Sequence, residues 1–112
     1  MKRGEIWKIN LDPTIGAEIQ KSRPAVILSV NSVGVLPLRI IVPLTSWKNH
    51  YSNAAWLVHL EPENGNGLRK KSAADTLQIR SISESRFLSC IGEVSGNDLI
   101  RIEKAARIVL GL

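Results

Sequence analysis

Polar and apolar positions alternate at the start of the chain. Trp7, Ile9 and Leu11 fall on one face, with Glu5, Lys8 and Asn10 among the polar positions. Such alternation predicts a strand over residues 5–11 with one face in water. Asp12-Pro13 ends it, and Gly16 lets the following loop turn. The run Ala25-Val26-Ile27-Leu28-Ser29-Val30 is nearly continuous in apolar residues. That predicts a more deeply buried strand over 24–30, with Pro24 tolerated as its first residue, where no ladder donor is needed. Residues 31–37 read as a turn around Gly34.

A β-branched stretch over 39–44 predicts a third strand, with Thr45-Ser46 at its end and a polar loop through Asn53. A fourth strand is expected over 54–60. The Asn-Gly pairs in 61–67 favour positive φ and hairpin geometry. Residues 72–80 read as a fifth strand, Ser83 as the cap of a short helical turn through Arg86, and 88–94 as a further strand. The period then changes. Ser95 and Asp98 have capping-box spacing, Leu99, Ile102, Ala106 and Val109 follow helical spacing, and Gly111 stops the helix. The expected fold is mainly β with a C-terminal α-helix. Connections too short for repeated crossover helices imply antiparallel pairing, in a small bent sheet or partly open barrel closed by the helix. Trp7 and Trp56 fit core positions.

At 112 residues the chain is read as one domain, 1–112, large enough to bury a core without disulfides. The formal net charge of +5 suits a polyanionic partner and equally suits simple solubility. Cys90 is the only cysteine, and its apolar neighbours predict a buried, unreactive thiol in a reducing, cytoplasmic setting. No stretch has the pattern of a signal peptide or a membrane span, so no membrane partner is expected.

The sequence contains no metal-ligand spacing, no phosphate-cradling glycine motif and no nucleophile elbow. Neither a metal nor another cofactor is therefore expected. Arg23 and Thr45 stand out, one next to the start of a predicted strand and the other next to the end of another. Read alone, Arg23 is a solvated or salt-bridged strand-edge residue and Thr45 a β-compatible one. If their strand ends share an edge, guanidinium and hydroxyl face one pocket suited to a phosphodiester. The fork of donors clamps non-bridging oxygens and stabilises transition-state charge. RNA carries its own nucleophile, the 2′-OH, so cleavage needs no metal-activated water. His59 reads as a structurally satisfied histidine, His50 as a loop residue facing solvent or RNA. Trp47 is a candidate for base stacking, and Arg69-Lys70-Lys71 is either a backbone-tracking run or a solvated turn.

In order and spacing, several segments together resemble the MazF/PemK toxins of bacterial type II toxin–antitoxin systems. They are Arg3-Gly4-Glu5-Ile6-Trp7, Leu11-Asp12-Pro13 with Gly16 and Glu18, Arg23-Pro24-Ala25-Val26, Val42-Pro43-Leu44-Thr45-Ser46, Gln78-Ile79-Arg80-Ser81-Ile82, Ser85-Arg86-Phe87-Leu88 and the end from Ala105 to Leu112. The resemblance implies an SH3-like barrel, a homodimer, and metal-independent, sequence-selective cleavage of single-stranded RNA to 2′,3′-cyclic phosphate and 5′-hydroxyl ends. It implies Arg23 and Thr45 as the catalytic pair, Glu18 in the loop as a support for substrate binding, and Gln78 and Arg80 near the RNA path. Lys21, Ser22 and Ser46 flank the pair and complete, with Trp47, the candidates for RNA contact. A cognate antitoxin would cover the site with an extended acidic segment. Some relatives carry an acidic residue just before the Gln; here that position is Leu77, and Asp75 lies two residues earlier. Two alternatives remain: a non-enzymatic gyrase inhibitor of the similarly folded CcdB type, whose C-terminal tryptophan signature is absent, and an inert RNA-binding barrel.

Overall fold

The structure, a computed structural model, describes residues 1–32 and 36–112. The turn expected around Gly34 lies outside the described residues. Among the described residues seven strands follow in chain order: β1 (Glu5–Asn10), β2 (Ser22–Ile27), β3 (Leu38–Ser46), β4 (Leu57–Leu60), β5 (Ser72–Asp75), β6 (Arg80–Ser83) and β7 (Phe87–Glu93). One helix, α1 (Gly96–Leu110), ends the chain. All pairings are antiparallel, in the order β4-β5-β3-β2-β1-β7, with β6 also on β3. Among the described residues the strand ladder does not close on itself. The turn between β4 and β5 bridges the gap instead, where the Glu93 amide donates to the Gly65 carbonyl at 2.9 Å.

The continuous apolar runs have a physical explanation in two cores lying on opposite faces of the central strands. Ile6, Val26, Val42 and Leu44 join Val58, Leu60 and Ala74 in one core. Ile9, Ala25, Ile27 and Ile41 join Leu11 and Ile82 in the other. A strand buried on both faces has no position for polar residues, so its sequence loses the alternation of a one-sided strand. In β1, ordinary alternation sends Ile6 to the first core and Ile9 to the second, three residues apart on opposite faces.

Helix α1 covers the first core with Ile102 and Ala105. Its start follows the expected chemistry: the Ser95 hydroxyl accepts the Asp98 amide at 3.1 Å. Its end does too. Gly111 adopts φ +71°, and the Gly111 and Leu112 amides return to the Ile108 and Arg107 carbonyls. Arg3 ties the N-terminal segment to this helix by an ion pair with Glu103 and a bond to the Leu28 carbonyl.

Three sequence expectations require correction. The stretch 72–80 is not one strand. It breaks at a 3₁₀ turn, Thr76–Gln78, because the Asp75 carboxylate accepts the Leu77 amide at 3.1 Å and caps the turn. Trp56 is not in the core: it is 41% exposed. Cys90 is exposed rather than buried, since it lies on the open face of the edge strand β7.

Candidate active site

Strand β3 changes partners along its length, and the site lies at the change. Its first part pairs with β2 on one side and β6 on the other, and its last residues pair with β5. The ladder to β6 ends at Ile41 opposite Arg80, and that to β5 begins at Leu44 opposite Ala74. Pro43 falls in the gap, where its missing N–H interrupts no bond to either partner. The β2 ladder stops at Ala25 opposite Pro43. Extending that register sets Arg23 opposite Thr45, and residues opposite one another on antiparallel strands project to the same face.

The two side chains do share a cleft. Arg23 and Thr45 line one hollow of about 120 Å³, together with Ser22, Pro24, Leu44, Ser46, Lys70 and Ser72. Both residues are half-buried. Arg23 Nε donates to the Gln20 carbonyl at 3.3 Å, and among the described residues it has no carboxylate partner. Two cationic side chains and four hydroxyls therefore line a hollow whose lining, among the described residues, contains no acid. That composition suits an anion with several oxygen acceptors, such as a phosphodiester. Lys70 is the member of the basic run that reaches this hollow; Lys71 turns to Glu61 at 3.9 Å.

The loop of residues 12–21 forms the approach to Arg23, and several bonds hold it. At its neck, Asp12 Oδ1 accepts the Lys21 amide at 3.0 Å and the Thr14 hydroxyl at 3.2 Å, while Lys21 sits at φ +68°. Along its length, Gln78 grips the loop with both ends of its amide: Oε1 accepts the Ile19 amide, and Nε2 donates to the Ala17 carbonyl at 3.1 Å. Arg80 donates to the Leu11 carbonyl at 3.1 Å, and Arg86 donates to the Asn10 and Asp12 carbonyls. Glu18, Gln78 and Arg80 line a separate hollow of about 460 Å³ that also contains Pro43 and Leu77. The structure thus brings Arg23, Thr45, Ser22 and Ser46 together and places Glu18, Gln78 and Arg80 in this neighbouring depression. Lys21 lies at the loop's exposed neck. Trp47 has one face stacked on His59, centroids 4.4 Å apart and 14° between planes, and its edge against Tyr51.

Thr45 also lines a third hollow, of about 460 Å³, with Tyr51, Asn53, Trp56 and Asp75 in its wall. Burial pushes the Asp75 carboxyl above its ordinary value, and hydrogen bonds from the Leu77 and Gln78 amides and the Gln78 side chain pull it partway back. The sequence reading did not place Asp75 or Trp56 at the site. Sequence carried no signal for Asp75, which falls inside the stretch read as one strand.

A small antiparallel β-fold thus carries, at a strand switch, a cationic cleft whose chemistry suits a phosphodiester. Comparison with known proteins gives it a family. The sequence model described as "PemK-like, MazF-like toxin of type II toxin-antitoxin system" matches residues 2–110, and the chain belongs to that family. Endoribonuclease MazF9 of Mycobacterium tuberculosis is 34% identical over all of this chain and 98% of its own length. Endoribonuclease PemK of Escherichia coli is 40% identical over 73% of this chain and 60% of its own length. In fold, the chain is similar to the crystal structure of MazF from Deinococcus radiodurans. The TM-score is 0.81 at 24% identity, covering 100% of this chain and 97% of that one.

Proposed function

We propose that this chain, an endoribonuclease of the toxin family, cuts single-stranded RNA in the cleft shared by Arg23 and Thr45. The 2′-oxygen of the nucleotide before the cut bonds to phosphorus as its proton passes to solvent water. The bond to O5′ breaks and O5′ takes up a proton from solvent, leaving a 2′,3′-cyclic phosphate and a 5′-hydroxyl. Arg23 supplies its fork of donors to the non-bridging oxygens as charge accumulates on them. A guanidinium stays charged at any working pH, so Arg23 acts as charge stabiliser and hydrogen-bond donor rather than as base. Thr45 orients the phosphate through its hydroxyl, and Lys70 draws in the flanking backbone. Ser22, Ser46, Lys21, Glu18, Trp47 and Arg80 contribute along the RNA path. Gln78 acts there by holding the loop.

The carrying observation is the common lining: Arg23 and Thr45 face one hollow with Lys70 and no carboxylate. The chain acts as a single domain in the cytoplasm as a homodimer; Leu38, Ile40 and Leu88 leave apolar surface uncovered for that contact. An acidic antitoxin segment silences it by occupying the same cationic cleft, consistent with the chain's net charge of +5.

The test is cleavage of defined single-stranded RNA with excess chelator, followed by mapping of the ends. Cutting should persist and leave cyclic phosphates. Arg23→Ala should abolish turnover in a folded protein, and Thr45→Ala should lower it about 10²–10³-fold, the cost of one transition-state hydrogen bond. Loss of cutting in chelator, or 3′-hydroxyl products, would contradict the mechanism.

A further inference from the structure

The hollow on which Thr45 borders together with Asp75 differs in chemistry from the phosphate cleft. Aromatic rings replace the free cations. Tyr51 and His50 lie edge-to-face, centroids 4.8 Å apart, and Tyr51 in turn meets Trp47 at 5.8 Å. Trp56 presents its ring to solvent, yet its backbone is fixed: the Thr76 amide and hydroxyl both donate to the Trp56 carbonyl, at 3.0 and 2.7 Å. Among the described residues Asp75 is the only acid in the lining. A carboxylate offers about four acceptor positions, more than its contacts with Leu77 and Gln78 occupy. Aromatic surface beside a half-buried acceptor is the equipment used to stack an unpaired base and read its edge.

This inference rests on the nuclease reading above. We propose that the hollow is a base subsite, holding the unpaired base next to the cleaved phosphate, and that Asp75 selects guanine there. Thr45 lines both hollows, so a phosphate in one puts an adjoining nucleotide at the mouth of the other. An ionised carboxylate accepts and does not donate. Guanine sets two donors side by side on its Watson–Crick edge. Uracil flanks its single N–H with two carbonyl oxygens, which the carboxylate repels. Adenine and cytosine each pair one amine with an acceptor nitrogen.

The experiment measures kcat/KM for oligoribonucleotides varied one base at a time on both sides of the cut, for wild type, Asp75→Asn and Trp56→Ala. Guanine should exceed uracil by about 10–100-fold at one position adjoining the cut, the range of one good base contact. Asp75→Asn should collapse that ratio and leave preferences at other positions unchanged. Trp56→Ala should raise KM about 10-fold through lost stacking. A folded Asp75→Asn protein that keeps the wild-type preference at every position overturns the proposal. If that variant does not fold, the wild-type ratio decides, and no guanine preference beside the cut overturns it equally. A wild type that binds RNA without cutting sinks the nuclease reading instead. The same preference is then read from Kd for the same oligonucleotides, under the same Asp75→Asn criterion.

Discussion

Asp75 and Arg23 flank Thr45 with opposite chemistry, and the difference is measurable without RNA. Burial raises the folded-state affinity of the Asp75 carboxyl for its proton. Between the unfolded and folded values the native chain binds more protons than the unfolded one, so stability falls as pH rises through that window, just above the ordinary aspartate range. Asp75→Asn removes the titration while keeping an acceptor for the Leu77 amide. Denaturant unfolding should find this variant at least as stable as wild type at neutral pH, with a flatter dependence on pH across the window. A steeper dependence would mean that ionised Asp75 stabilises the fold. Reading from sequence singled out Arg23 and Thr45 because each lies where an apolar run meets a polar loop, and the two line one hollow. It missed Trp56 because a tryptophan between apolar neighbours carries the same pattern whether its ring is buried or turned to solvent. Cys90 failed for a related reason: an edge strand leaves one face open, and apolar neighbours do not reveal which strand is the edge.

The 12–21 loop is the element whose order the site requires, since Arg23 leaves it and Gln20 holds the Arg23 guanidinium. Part of its grip comes from Gln78, a side chain in a different element, the 3₁₀ turn between β5 and β6. That turn was illegible in sequence. The stretch 72–80 has strand-like composition, and only the Asp75 cap distinguishes the break. Where local period and cap agree, as in α1, boundary and chemistry were both readable. Gln78→Ala should therefore leave the fold intact and loosen the loop. Two hydrogen bonds at about 1 kcal/mol each correspond to a roughly 30-fold rise in open population. Native-state hydrogen exchange at the Ile19 amide measures it directly. Unchanged protection there would show that Arg80, Arg86 and Asp12 hold the loop unaided.

At the scale of the whole molecule, closure depends on glycines rather than on a strand ladder. A Cβ on Gly92 would stand 2.4 Å from the Asn66 carbonyl carbon, and one on Gly67 would stand 2.0 Å from the Ile91 oxygen. The bent sheet was legible from short strands and short connections. Its closure by the 61–67 turn was not, because the contact joins segments distant in sequence. Gly92→Ala should cost about 1–3 kcal/mol, the usual penalty of overpacking, seen as a lower Tm. Gly16→Ala is the contrasting case: nothing lies within 4 Å of its Cβ, so only the strain of φ +60° is felt.

The molecule's positive charge allows a separate argument about which cations touch RNA. Of the run Arg69-Lys70-Lys71, only Lys70 lines the Arg23–Thr45 hollow, whereas Lys71 faces Glu61. Each phosphate contact to single-stranded nucleic acid contributes about 0.7 to the slope of log affinity against log salt. Lys70→Ala should thus weaken RNA binding for every sequence alike and reduce that slope by about 0.7, with base preference unchanged. Lys71→Ala should leave the slope nearly as it is. Binding titrations across a range of salt concentrations with an uncleavable 2′-deoxy-substituted strand separate the two. Equal slope changes for both lysines would show the run to be a diffuse basic patch, and the placement of Lys70 in the cleft would then carry no special weight in how the substrate is held.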